Sequence, residues 1–428
     1  MIILNSPISY TASTCGYCHS QKRKLGSQSH GVHLFQLSAA DYEYLINNNW
    51  RRSGNYLYRP DPLRSCCTHW TIRTNNSMIK LTKELKKFIK KWQKFINVEP
   101  ANGVSIDSIG EFELKSNKFK SILTSNTFTV EKFELFKKYQ NIIHNDNDTS
   151  ENSFKNFLCT SPIINSNGFG DFNDQVNWDL INNEWSKRKI GREMQKFQGS
   201  IHECYYFNDQ LIAMSVLDIL PNSVSCVYFI YDPDFKHLSL GNLSILRELA
   251  MAKIWHKEFI YLGYYIADCP KMVYKGKFGG ELWNWQDNNW IQLDSISNII
   301  KDGKFHQFNS KLTDISTDLF GENGSKWSLI DQMNFKTGLR SFTKERELSF
   351  NKMKNHINKS QFGPVVVPGL EGGGEIYDNI GVLFVQDGQI AGRATFETIE
   401  DNLDLKYEVL ETGKLFGKEL SVFILNVV

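Results

Sequence analysis

No run of about 18 apolar residues occurs anywhere in the 428-residue chain, which excludes an ordinary hydrophobic membrane-spanning helix. The opening segment MIILNSPISY lacks the basic start, apolar centre and small-residue cleavage site of a secretory signal. Both absences predict a soluble chain without a membrane partner, working in the cytoplasm with the nucleus also open to it. A charge imbalance is missing too: 49 Lys and Arg against 47 Asp and Glu leave a formal net charge of +2. Overall composition therefore says nothing of a polyanionic partner, which only local clusters could announce. Cysteine is scarce, with eight in all. In a reducing compartment these are expected as thiols or metal ligands rather than disulfides. Apolar material is ample, with 41% hydrophobic and 13% aromatic residues. It can bury a sizeable core, over a length that favours at least two domains.

Four of the cysteines fall early, Cys15 and Cys18 in CGYC and Cys66 and Cys67 as an adjacent pair. Thiolates so grouped suit a metal, although neighbouring cysteines bind one ion awkwardly; inert buried thiols are the alternative. The expectation is a loop-rich metal-binding module over residues 1–75, braced by zinc because it is too small to build its own core. His19 or His69 is close enough to replace one sulfur. Residues 76–150 read as a basic helical segment and linker. In IKLTKELKKFIKKWQKFI, Leu81, Leu85, Phe88, Trp92 and Phe95 recur at helical spacing. Lys83, Lys86, Lys87, Lys90, Lys91 and Lys94 cover most of the rest, either as a solvated face or as contacts to phosphates. The polar stretches VEPANGVSIDSIG and NDNDTSEN read as linkers or surface loops.

From residue 151 to 276 the pattern is that of a transferase core. CYYFNDQLIAMSVLDIL gives a hairpin turning at Asn208 and Asp209, and VSCVYFIYDPDF a further strand. LSILRELAMAKIWHK gives a helix with Asn242 or Ser244 as cap, and FIYLGYYI another strand. Strand, helix and strand make a βαβ unit whose parallel strands leave a crevice at their carboxyl ends. YLGYYIADCPKMVYKG delivers Lys271 and Lys275 to that end. Cys159, Cys204, Cys226 and Cys269 sit in apolar surroundings and are expected in the core. Residues 277–428 hold WNWQDNNW, VPGLEGGGEIYD and a second hairpin, GVLFVQDGQIAGRATFETI, turning at Asp387-Gly388. Its likeness to the first hairpin in length, turn position and apolar pattern predicts a duplicated half.

Several strings together carry a family resemblance: CGYCHS, RRSGNYLYRPDPLRSCC, KYQNIIH, FLCTSPI, VLDILPNSVSCVYFIYDPDF, LSLGNLSILRELA and YLGYYIADCPKMVYKG. On these, over most of Thr14 to Gly276, the chain resembles the arginyl-tRNA protein transferases, particularly the fungal members. The resemblance implies an α/β (α+β) enzyme with a GNAT-like acyltransferase core. It also implies arginyl-tRNA as donor and, as acceptor, a protein beginning with Asp, Glu or oxidised Cys, thereby marked for degradation. Iron–sulfur binding joins zinc as an occupant of the four thiols, and sequence does not separate them.

An activated ester and an α-amine of pKa about 7.7–8.0 need little base catalysis. Alignment and donors to the oxyanion matter more. Direct aminolysis in a ternary complex is therefore expected. The donor guanidinium calls for a sheltered carboxylate, with Asp218 first and Asp268 second. The acceptor's acidic side chain, or the terminal phosphates, call for Lys271, Lys275 and Arg247, with the helix start at Gly241 offering backbone N–H groups. Tyr139, Gln140 and His144 are assigned to the adenosine or to the amine's proton, and Tyr231 and Tyr264 to the substrate. Two other readings compete. QIAGRA, Gln389 to Ala394, matches the pyrophosphate loop of CoA-dependent acetyltransferases, but it lies inside a hairpin strand where no helix opens, so no CoA is expected. A non-enzymatic metal-braced RNA-binding protein would leave the charged crevice unexplained.

Overall fold

The computed structural model describes residues 2–6, 8–19, 26–62, 65–99, 103–164, 176–189, 191–284, 289–303, 305, 306, 308, 380–386, 389–395, 398, 399, 403–416 and 419–427. Their architecture is mixed α/β, built on two sheets. The first sheet joins the two ends of the chain. From the amino-terminal side come β1 (Ile2–Leu4), β2 (Ser9–Ser13), β3 (Ser27–Ser38), β4 (Arg51–Ser53) and β5 (Tyr56–Pro60). After β3, Ser38 accepts from the Asp41 N–H and starts α1 (Ala39–Asn47). From the carboxyl side come β15 (Ile380–Gln386), β16 (Gln389–Thr395), the helix α11 (Leu403–Phe416) and β17 (Val422–Val427). β17 runs parallel to both β1 and β15, with Ile2 opposite Val422. The described residues of 1–75 are thus rich in strands, and their sheet is shared with the carboxyl side rather than self-contained. Strand β3 escapes the eye because SQSHGVHLFQLS is largely polar, although Val32, Leu34 and Leu37 are buried. QIAGRA lies in β16, the edge strand, and the Asp387-Gly388 turn and VPGLEGGGEIYD fall outside the described residues.

The second sheet takes β6 (Trp70–Thr74), β7 (Phe119–Ser125), β9 (Gly199–Phe207), β10 (Gln210–Ile219), β11 (Ser223–Tyr231), β12 (Phe259–Tyr265), β13 (Glu281–Asn284) and β14 (Asn289–Gln292), in the order β14-β13-β6-β12-β11-β10-β9-β7. Short β8 (Ile163–Ile164) pairs with β3. Asn208 and Asp209, at φ +48° and +62°, make the left-handed two-residue turn of the β9–β10 hairpin. Successive side chains then serve opposite faces. Cys204, Met214 and Val216 pack with α4 (Val130–Tyr139), while Tyr205, Ala213 and Leu217 meet α2 (Lys83–Phe95), α3 (Asp107–Lys115) and α8 (Leu240–Ile254). Helices α6 (Trp178–Ser186) and α7 (Arg192–Lys196) precede β9, α9 (Pro270–Val273) follows β12, and α10 (Leu293–Ile300) follows β14.

Strands β11 and β12 pair in parallel only from Ser223–Phe259 to Ser225–Tyr261, so their carboxyl ends part. Gly263, at φ +72°, sits where the register of β12 against β6 breaks between Tyr261 and Tyr264. α8 follows Ser239, at φ +56°, so Asn242 and Ser244 lie inside the helix rather than capping it. In α2, Thr82 is the cap and Leu85, Ile89 and Trp92 are buried, leaving Lys83, Lys86, Lys87, Lys90, Lys91 and Lys94 exposed. Part of VEPANGVSIDSIG forms α3 instead of a linker. α4 runs on through a π-helical turn, Gln140–His144, and a second such turn, Lys155–Cys159, follows α5 (Glu151–Phe154). Among the described residues no helix is long and apolar enough to cross a membrane.

Candidate active site

A cavity of about 430 Å³ opens where β11 and β12 part. β11 contributes Ser225, Cys226, Tyr228 and Tyr231, and β12 contributes Gly263 and Tyr264. From α8 come Gly241, Ser244, Ile245 and Glu248, a stripe at i, i+3, i+4 and i+7. Tyr139 closes one side, Lys271, Met272 and Lys275 another, and the first sheet supplies Arg51, Arg52 and Tyr58. Six of the sequence-derived site residues thus share one cavity: Tyr139, Tyr231, Gly241, Tyr264, Lys271 and Lys275. Gln140 and His144 lie just behind, both touching Tyr228: Gln140 hydrogen-bonds its hydroxyl, which stands 3.5 Å from His144 Nε2. Asp268 lies against Gly303 and is not among the lining residues.

The cavity is rich in cationic groups. Lys275 Nζ donates to the Tyr264 carbonyl at 2.8 Å, and burial, then the Arg51 guanidinium, pulls its pKa down to about 7. Arg51 gives its N–H groups to the carbonyls of Ile46 (3.1 Å), Trp50 (2.6 Å) and Gly263 (3.1 Å) and has no carboxylate partner among the described residues. Its guanidinium also faces the Tyr264 ring at 5.0 Å. Lys271 is exposed; partial burial and then its charge lower the pKa of His144. Opposite these stands Glu248, whose pKa burial pushes up to about 7.

Two of the charges expected at the substrate are committed elsewhere. Asp218, fully buried in β10, takes a bidentate pair from Arg52 (2.8 and 2.6 Å) and a hydrogen bond from Ser200 Oγ (2.6 Å), leaving no room for a donor guanidinium. Arg247 points away from the cavity, its Nε 2.5 Å from Glu113 and Nη2 3.0 Å from Glu203. It is therefore a structural ion and cannot reach a substrate anion. Cys226, expected to be inert core, instead lines the cavity and donates to Glu248 Oε2 at 2.8 Å. Arg51, Arg52, Tyr17 and Glu248 were not singled out. The sequence signals for them are the adjacent arginines of RRSGNYLYRP, the tyrosine inside CGYC, and a glutamate seven residues beyond Gly241.

The sulfurs of Cys15, Cys18, Cys66 and Cys67 all lie within 4.8 Å of one another and could hold a metal ion. A tetrahedral ion with sulfurs at about 2.3 Å would set them roughly 3.8 Å apart, so the four fit one ion. The His69 ring is turned to Tyr17 (5.4 Å) and Tyr264 (5.3 Å), and neither His69 nor His19 belongs to this all-sulfur group. Ile266, Cys269 and Met272 pack against the thiols, and Tyr17 reaches from between Cys15 and Cys18 into the cavity wall. No disulfide joins any of the eight cysteines.

A parallel pair parting over a charged, aromatic-walled cavity is the ligand site of an α/β enzyme. Residues 13–87 match the family model described as "Arginine-tRNA-protein transferase, N terminus", and residues 131–283 the one described as "Arginine-tRNA-protein transferase, C terminus". The chain is 33% identical to Arginyl-tRNA--protein transferase 1 of Saccharomyces cerevisiae, over 95% of this chain and 94% of that one. It is 27% identical to Arginyl-tRNA--protein transferase 1 of Drosophila melanogaster, over 69% and 84%. An Aspartate/glutamate leucyltransferase of Campylobacter jejuni is 39% identical over a shorter part, 17% of this chain and 31% of that one. The chain belongs to the arginyl-tRNA protein transferase family and is a transferase.

Proposed function

We propose that this chain moves arginine from arginyl-tRNA to the α-amine of proteins beginning with Asp, Glu or oxidised Cys, by direct aminolysis with both substrates in the cavity between β11 and β12. The product would be marked for degradation. The observation that carries the reading is a cavity holding Arg51 and Lys271, without carboxylate partners among the described residues, beside an aromatic wall in a member of this family. Arg51 and Lys271 suit the acidic first side chain or the terminal phosphates. Tyr139, Tyr228 and Tyr231 suit the terminal adenosine, on which a base can stack. Lys275, with its pKa near 7, can be a free amine at neutral pH and take the proton released by the attacking ammonium; His144, against Tyr139 and Tyr228, is a second acceptor.

The lysine face of α2 suits tRNA phosphates without reading sequence. Lys91 bonds the His237 carbonyl, just before α8, which sets that face beside the helix entering the cavity. The all-sulfur group favours a single zinc over an iron–sulfur cluster, whose several irons need more widely spaced thiols. A GNAT-like core is supported by the run β9–β10–β11–α8–β12, and a duplication by the hairpin, helix and strand of β15–β16–α11–β17. A cytoplasmic or nuclear setting, where aminoacylated tRNA is available, fits the reading. Incubation with labelled arginyl-tRNA and peptides beginning Asp or Ala tests it. Label on the Asp peptide alone is expected, and label on neither overturns the proposal.

A further inference from the structure

The donor's side chain still lacks a partner, since Asp218 is taken by Arg52. Among the described residues that line the cavity, Glu248 is the one carboxylate. It is buried, at 2% exposure, and its oxygens receive only neutral donors, the Cys226 thiol at 2.8 Å and the Ser215 hydroxyl at 3.2 Å. No cation among the described residues makes an ion pair with it, although the Arg247 charge draws its pKa down against the stronger effect of burial. Arg247, the preceding residue, is turned to Glu113 and Glu203 on the far side of α8, and Lys275 gives its bond to the Tyr264 carbonyl. Burying a carboxylate without a cation is costly unless something arrives to pair with it.

We infer that Glu248 is the specificity-determining residue for the transferred amino acid, receiving the guanidinium of the aminoacyl donor at the floor of the cavity. The inference rests on the transfer reading above. A carboxylate accepts a guanidinium through two parallel N–H···O bonds, a match that a neutral side chain cannot make. The weak donors now on Glu248 leave acceptor capacity for this, because each carboxylate oxygen can take more than one bond. The upward displacement of its pKa points the same way, since an arriving cation would restore the ionised form. Its place in the α8 stripe with Gly241, Ser244 and Ile245 aims it into the cavity from a rigid element rather than a loop.

The test uses tRNA acylated by ribozyme with arginine or with citrulline, its uncharged isostere, and an Asp-initiated peptide. The wild type should prefer arginine. Glu248→Gln should lower kcat/KM for arginine about 10- to 100-fold, as loss of a charged hydrogen bond does, and leave citrulline within about threefold. The preference would then vanish. A variant that keeps the preference, or loses both donors equally, overturns the assignment. Calorimetry on the wild type gives a second readout independent of the variant's folding and of transfer. Arginine methyl ester should bind at least tenfold more tightly than citrulline methyl ester, and equal binding of the two overturns the assignment. If the wild type transfers neither amino acid, the transfer reading falls, while the two esters still decide whether Glu248 selects a guanidinium.

Discussion

Asp218 and Arg52 meet with side chains 0% and 1% exposed, so neither has water to fall back on when its partner is removed. Breaking such a pair on one side strands a buried charge, at a cost of about 3–5 kcal/mol. Asp218→Asn is therefore expected to move the urea midpoint strongly downward while KM for arginyl-tRNA, measured where the variant is still folded, stays close to wild type. A raised KM with an unchanged midpoint would contradict this. Glu113 plays a similar part for Arg247 and Arg188, which together hold its carboxyl below the usual range against the opposing effect of burial. In a sequence, a lone acid in an apolar strand looks the same whether its cation is a substrate or an arginine 166 residues away. The difference lies in tertiary distance alone.

Helices α2 and α8 were legible as elements because apolar residues recur at helical spacing. α8 starts at least three residues earlier than a cap at Asn242 or Ser244 implies, since the turn before it ends in a left-handed serine that no pattern announces. The face of α8 that matters was not read: Gly241, Ser244, Ile245 and Glu248 share one stripe, and Arg247, assigned to the substrate beside Gly241, falls off it. In α2 the buried Leu85, Ile89 and Trp92 leave the lysines outward, so their role can be tested without touching the core. Replacing Lys83, Lys86, Lys87 and Lys90 with Ala should weaken arginyl-tRNA binding. It should also lower the slope of log K against log salt by about 3, because each phosphate left without its lysine keeps close to one condensed counterion. An unchanged slope in filter binding would return these lysines to an ordinary solvated face.

Over the molecule as a whole, the two ends of the chain build one sheet, and residues 70–74 are inserted into the other. Contacts between the sheets run along β11 and β12, from the amino end of β11 to the cavity. Arg51 reaches Gly263, Tyr264 bonds the Asn49 carbonyl at 2.8 Å, and Glu43 holds the Asn222 N–H at 3.1 Å. The four thiols add a further stitch, lying against Ile266 and Met272 at the cavity's edge with Tyr17 in its wall. If the thiols hold zinc as proposed, a chelator is expected to lower the melting temperature and kcat/KM for arginine transfer together, both recovering when zinc is added back; full activity in chelator-treated protein would refute that coupling. The sequence by itself determined the family, through the strings that carry its resemblance, and the βαβ unit, the hairpin turn at Asn208-Asp209 and the two cysteine pairs, because these are written in local spacing. Only the tertiary structure decided that the amino-terminal segment is part of the core, that Asp218 and Arg247 are spoken for, and that Glu248 is left facing the cavity. Ion pairing and strand order join residues far apart in the chain, and nothing in local periodicity encodes which partner each buried charge will meet.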